Sequence, residues 1–273
     1  MMSCLDSELW QGRFLLRQLV VRNVQMRFRG SCFGGLWSFL APILLICVYT
    51  LVFGVFFKSR WGTGEEENRL VFAAALFSGV MIYNFFNECV ANTVTCIVGN
   101  AQYVKKVKFP LVFLPVGQVL CSTILVLPWM ALVMLFSAWV FKTVLWSWLL
   151  LPFTLVPLVL FCAGVALTLA SLGVYFRDLE QLVQILLRVV FFMSPVCYRL
   201  ANLSDEYQRL ILLNPLAWFI ELTRKTLFCG LFPEYAALPT ATEWLVCFGF
   251  GLGFAALGAL WFGKTAKGFG DVL

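Results

Sequence analysis

Charge is scarce in this 273-residue chain and histidine is absent: Asp, Glu, Lys and Arg make up 12% of it, against 62% apolar residues. A water-soluble domain carries roughly 25% charge and under 50% apolar residues. Half that charge leaves too little polar surface to face water, so most of the outside must face lipid. Without histidine the commonest general base and the usual zinc-site patterns are gone. The ten cysteines form no CxxC pair. Cys47, Cys121, Cys162 and Cys247 sit inside apolar runs, where Cys acts as a small apolar residue. A disulfide between Cys197 and Cys229 is not favoured. Paired carboxylates and Ser-Lys arrangements at one level are lacking too, so no catalytic residue, cofactor or metal is expected, and no nucleic-acid partner.

What is present is a series of long uncharged stretches, with a mean hydropathy of +0.90. Each span needs about 20 apolar residues. The reading is an all-α integral membrane protein, a single transmembrane domain over 1–273. Its six transmembrane helices lie at about 36–57, 70–92, 111–141, 144–174, 181–198 and 243–263. The third and fourth runs are separated only by Lys142 and form a tight hairpin. Each would be roughly 50 Å long if fully helical, so they tilt, kink at a proline or project beyond the bilayer. The first 30 residues carry Arg13, Arg17, Arg22, Arg27 and Arg29 with no apolar core. No signal peptide is therefore expected, and the first span directs insertion.

Basic residues orient the bundle. With both termini cytoplasmic, eleven Lys and Arg fall inside and eight outside, the eight being matched by acidic residues. Residues 6–29 read as an amphipathic helix at the cytoplasmic interface. It has two apolar stripes, Trp10, Phe14, Val21 and Phe28 on one side and Leu15, Leu19 and Met26 on the other. A helix that only floats on lipid needs one, so this one also packs on protein. Residues 203–232 read as short interfacial or re-entrant helices on the outer side, divided at Asn214-Pro215. Trp139, Trp146 and Trp148 beside Lys142 suggest an interfacial aromatic belt.

Candidate functional residues follow from position. Gly258 to Thr265 satisfies the phosphate-loop string G-x4-G-K-[ST], but it closes an apolar span with eight residues after it. A phosphate loop needs a preceding strand and exposed amides. Its glycines suit close helix packing instead, alongside Gly249 and Gly253. Arg188 and Glu88 are ionisable residues in or beside the spans, where charges at depth face a pore or a partner; for Glu88, where the second span leaves the bilayer, a plain interfacial role stands equally. Tyr49, Phe53 and Phe56 recur at i, i+4 and i+7 along the first span. Two readings stand for them: a lipid-facing or packing stripe, and a channel lining for an amphipathic solute. Arg27 and Arg29 precede that span. They serve either as topology signals touching anionic membrane lipids or as a planar fork for a lipid phosphate.

These residues resemble a family. Arg27-Phe28-Arg29-Gly30-Ser31 followed by Gly34, Trp37 and Pro42 is similar to the entry of the first span in permease subunits of polysaccharide-exporting ABC transporters. Asn100 to Pro115, with Val104, Phe109-Pro110 and Leu114-Pro115, extends the resemblance. So do Tyr175-Phe176-Arg177-Asp178, Ser194-Pro195, Asn214-Pro215 and the terminal Gly268-Phe269-Gly270-Asp271-Val272. Ala41, where Asn often precedes the proline, and Leu111-Val112, where a charged pair often stands, depart from it. The resemblance implies a homodimer working with two soluble ATP-binding subunits in a bacterial inner membrane. Its cargo would be an undecaprenyl-diphosphate-linked polysaccharide such as O-antigen, capsule or teichoic acid. Lys105, Lys106, Lys108, Arg177 and Asp178 would couple to the ATPase. Arg27 and Arg29 would meet the cargo head group, and Tyr49, Phe53, Phe56 and Arg188 would line the channel. The alternatives are a membrane-embedded enzyme of lipid-linked sugar metabolism, which needs acidic residues the chain does not bring together, and a passive channel.

Overall fold

A computed structural model describes residues 2–30, 33–52, 69–102 and 110–272, with side chains from residue 12 onward except those of 69 and 271. The described residues are helical and joined by short turns. In order they are α1 (Met2–Phe28), α2 (Trp37–Tyr49), α3 (Arg69–Ala91), α4 (Phe113–Phe141), α5 (Leu151–Tyr175), α6 (Leu179–Met193), α7 (Asp205–Ile211), α8 (Pro215–Leu227), α9 (Ala241–Thr265) and α10 (Phe269–Val272). Five segments among them are long and apolar enough to cross a membrane: Gly34–Val52, Leu70–Ala91, Phe113–Phe141, Trp146–Tyr175 and Ala241–Gly268. The molecule is thus an all-α, multi-span membrane protein. α6 has 15 residues, about 22 Å of helix, which is short of a ~30 Å hydrocarbon core.

The α4–α5 hairpin turns where the first charge appears. Lys142 adopts φ 53°, the one non-glycine residue with positive φ among those described, and halts α4. Pro152 then opens α5, where its missing N–H is not needed. Trp148 is not in an interfacial belt as expected: it is buried, and its indole N–H donates to the Leu227 carbonyl at 2.8 Å. Trp139 and Trp146 are exposed.

α3 is the pillar of the bundle. Ala74, Ala75, Leu76 and Ile82 are fully buried, and the helix touches α2, α4, α5, α6 and α8. α9 lies along α5 over their lengths, through glycines. A methyl added at Gly258 would collide with the Gly164 carbonyl, and one at Gly251 would lie 2.6 Å from the Pro157 carbonyl oxygen. This corrects the sequence reading, because Gly249, Gly253 and Gly263 have open space around them. The phosphate-loop string lies within helix α9, ahead of a short following turn. Amides there are committed to intrahelical bonds, so the string forms no loop around an anion.

Helix α1 packs on α4, with Leu19 and Val20 buried and Leu16 and Leu19 near Gly117. Phe14, Leu15, Val21 and Met26 stay exposed. The expected second stripe is therefore displaced: the packed edge runs through Leu16, Leu19 and Val20, not through Leu15 and Met26. A second core gathers Leu19, Cys96, Ile97, Leu114, Leu167, Val174, Phe262 and Phe269. It fastens α1, the turn at 92–100 and α10 to one end of the bundle. At the opposite end, Asn214 caps α8 by accepting from the Leu216 N–H at 3.0 Å, and Pro215 starts the helix. α7 is largely exposed, whereas α8 sinks against α3, α5 and α9. Cys197 and Cys229 are free thiols.

Candidate functional site

Among the described residues, three polar or aromatic clusters interrupt the apolar bundle. The first lies at the end that holds α1 and α10. Arg27, in the last turn of α1, makes an ion pair with Glu88 of α3. Both side chains keep partial access to solvent, 37% for Arg27 and 29% for Glu88. Glu88 lies in the last turn of α3, where its backbone carbonyl also accepts from the Asn92 side chain at 2.8 Å. Arg29 follows in an exposed turn that closes at Gly30, whose φ of 83° suits glycine. Arg177 and Asp178 occupy an exposed turn between α5 and α6 at this same end. Beside them Tyr175 donates to the Thr265 carbonyl at 3.1 Å and packs on Phe269. Lys105, Lys106 and Lys108 lie outside the described residues, as do Phe53 and Phe56.

The second cluster is an open cavity of about 440 Å³ among α2, α3 and α6, lined by Val48, Tyr49, Val52, Tyr83, Arg188, Phe191 and Phe192. Tyr49 and Arg188, singled out separately in the sequence, share it. Phe191 is the hub: its ring centre lies 5.9 Å from that of Tyr49 and 4.8 Å from that of Tyr83. Tyr83 donates to the Leu187 carbonyl at 2.7 Å, tying α3 to α6 one residue before Arg188. Sequence reasoning missed Tyr83, Phe191 and Phe192. Their signal was present, since Phe191 and Phe192 follow Arg188 at i+3 and i+4 and so share its helix face.

The third cluster lies at the far end and was missed entirely. Arg224, read in the sequence as one loop charge among several, is fully buried. Its guanidinium donates to the Val196 carbonyl at 2.8 Å and to Glu221 Oε1 at 3.2 Å, and it lies against Gly79. Tyr235 donates to Glu221 Oε2 at 3.0 Å. Arg199 pairs with Glu234, and Lys225 with Glu243 at 2.8 Å. Burial raises the Glu234 carboxyl above its ordinary pKa, with Arg199 opposing the shift, and burial raises the Tyr235 hydroxyl as well. A cavity of about 200 Å³ opens among these groups. The ion pairs around it brace α8 against α9 and the loops. No group of three His, Cys, Asp or Glu among the described residues is placed to hold a metal.

A bundle of apolar spans with charged ends and an aromatic cavity between its helices has the build of a membrane permease. The family model for ABC-2 type transporters matches residues 15–228, and the chain belongs to that family. It is 35% identical over 217 residues to the O-antigen export system permease protein RfbA of Myxococcus xanthus, covering 77% of this chain and 78% of the relative. It is 25% identical over 235 residues to a Klebsiella pneumoniae protein of the same name, 85% and 87% of the two chains. The polysialic acid transport protein KpsM of Escherichia coli is 22% identical over 224 residues, 81% and 83% of the two. The protein is a transport permease related to polysaccharide export permeases.

Proposed function

We propose that this chain is the transmembrane subunit of an ABC exporter that moves a lipid-linked, O-antigen-like polysaccharide out of the bacterial cytoplasm. The observation that carries the reading is the 35% identity to an O-antigen export permease over more than three quarters of both chains. Two copies work with two separate ATP-binding subunits, which hydrolyse the ATP. The chain crosses the inner membrane six times with both termini in the cytoplasm. In this topology α6 and the residues after it make the fifth crossing, and α7 and α8 sit at the outer surface. The sparse burial of Gly34–Val52 and the exposed face of α6 at Leu182, Ile185, Leu186 and Val189 support a second copy.

Cargo would enter from the inner leaflet beside α1. There Arg27 and Arg29 receive the diphosphate, which must displace Glu88 from Arg27. The chain then moves outward past the aromatic cavity of Tyr49 and Arg188. Aromatic faces attract sugar rings without holding them at one spot, which suits a sliding polymer. Arg177-Asp178 and the lysines at 105, 106 and 108 dock the ATPase. In inverted inner-membrane vesicles containing this chain and its ATPase subunit, a lipid-linked polysaccharide made outside should enter the lumen with ATP. Movement without the ATPase subunit would favour a passive channel. Chemical change of the lipid-linked sugar by this chain alone would favour an enzyme.

A further inference from the structure

Four cations towards the ends of the bundle have carboxylates of their own. Arg27 faces Glu88, Arg199 faces Glu234, Arg224 faces Glu221 and Lys225 faces Glu243. Arg188 differs: among the described residues it has no ion pair and no hydrogen bond from its guanidinium. It stands nine residues into α6, about 14 Å along the helix, among the exposed apolar side chains of Ile185, Leu186, Val189 and Phe192. The groups beside it in the cavity are two phenols and apolar side chains. A guanidinium at that depth with only apolar and phenolic neighbours is unfavourable, so such residues mark ligand pathways or partner contacts.

We propose that this cavity is an intramembrane anion site, and that its ligand is the diphosphate of a polyprenyl-linked cargo in transit. The inference rests on the export reading and adds a second station to it. A guanidinium presents parallel donors that match two phosphate oxygens. The rest of the wall, Val48, Val52, Phe191 and Phe192, suits the prenyl chain that the diphosphate carries. Position links the two stations. Glu88, which holds Arg27, and Tyr83, which lines the cavity and bonds the residue before Arg188, are five residues apart on α3, about 7–8 Å in rise. Five residues also turn α3 by about 140°, so the second station lies on a different face of that helix from the first, the face that meets α2 and α6.

The test uses the full chain with its ATPase subunits in nanodiscs of zwitterionic lipid. A single cysteine replaces Val48, a cavity residue 59% exposed, in an export-competent background lacking the ten native cysteines. Farnesyl diphosphate should slow labelling of that cysteine by a small thiol reagent, and farnesol should not. Arg188→Gln should raise the half-protecting concentration about tenfold, the loss of a charge-assisted bidentate contact. Arg188→Lys should fall between, and Arg209→Gln, on the exposed helix α7, should leave protection intact. An unreactive Val48→Cys would overturn the channel reading on which the site depends. Labelling that ignores the diphosphate, or is slowed equally by farnesol, would overturn the anion site alone. Equal slowing by phosphatidylglycerol would make it a phospholipid site and overturn the cargo assignment. Dissociation of the two copies by Arg188→Gln, without protection in the parent, would overturn the site and assign Arg188 to a carboxylate of the second copy.

Discussion

Gly258 of α9 touches Gly164 of α5 so closely that the backbone of one occupies the place where the other would carry a side chain. This contact sets the spacing of the most extensively packed helix pair in the molecule. Gly258→Ala should destabilise the protein by about 1–3 kcal/mol, the range for overpacking against atoms that cannot move aside. Gly249→Ala, on the same helix, serves as the comparison. Gly249 has open space around it, so its replacement should be neutral or gain up to ~1 kcal/mol of helix propensity. Thermal unfolding in one detergent compares the two. Equal losses would show that the seam is not where the structure puts it.

Arg224 is expected to be structural. Arg224→Met leaves the Val196 carbonyl without its guanidinium donor and Glu221 with Tyr235 in place of a cation, and removing one partner of a buried pair typically costs about 3–5 kcal/mol. Arg224→Lys keeps the charge but loses the fork, so it should recover part of the stability. Gly79→Ala should also destabilise, since its methyl would lie 2.8 Å from the guanidinium. Unfolding midpoints and folded yield read all three. Wild-type stability for Arg224→Met would refute the bracing role.

The Arg27–Glu88 pair separates a clamp from a topology signal. Arg27→Lys with Arg29→Lys retains positive charge beside the first span, so insertion should be normal, yet export should fall about tenfold through loss of bidentate phosphate contacts. Glu88→Gln removes the competing carboxylate, and binding of farnesyl diphosphate should tighten. Normal export by the double Lys variant would leave only the topology role. Weaker binding in Glu88→Gln would make the pair a structural brace.

Arg177 and Asp178 are exposed in a turn that the second core holds in place. Replacing both by Ala should leave folding unchanged within about 0.5 kcal/mol, as for exposed positions, while uncoupling the ATPase. Co-purification of the ATPase subunit and export are measured together. Normal assembly with normal export would exclude a coupling role.

Five of the six expected spans were legible because lipid exposure imposes long uncharged runs, and the Lys142 turn and the Asn214-Pro215 break were legible from single residues. The glycine seam was half legible: Gly258 packs closely as expected, whereas Gly249, Gly253 and Gly263 do not, and Gly251 was missed, because all of them fit a small-residue spacing on α9. Arg224 was invisible for a different reason. Its burial depends on a carbonyl at Val196 and on room left by Gly79, both distant in the chain and without a local pattern. Tyr49 and Arg188 were found from aromatic spacing and from charge at depth. Their shared cavity emerged only when α2 and α6 were seen flanking Tyr83.

Whether this chain moves a finished lipid-linked polysaccharide or helps to make one is decided most directly by depleting it in living cells and locating the polymer. If it exports, lipid-linked polysaccharide of normal structure should accumulate on the cytoplasmic face, shielded from an impermeant lectin until the inner membrane is opened. Loss of the lipid-linked polymer itself, with no cytoplasmic accumulation, would contradict export and point to a role in synthesis.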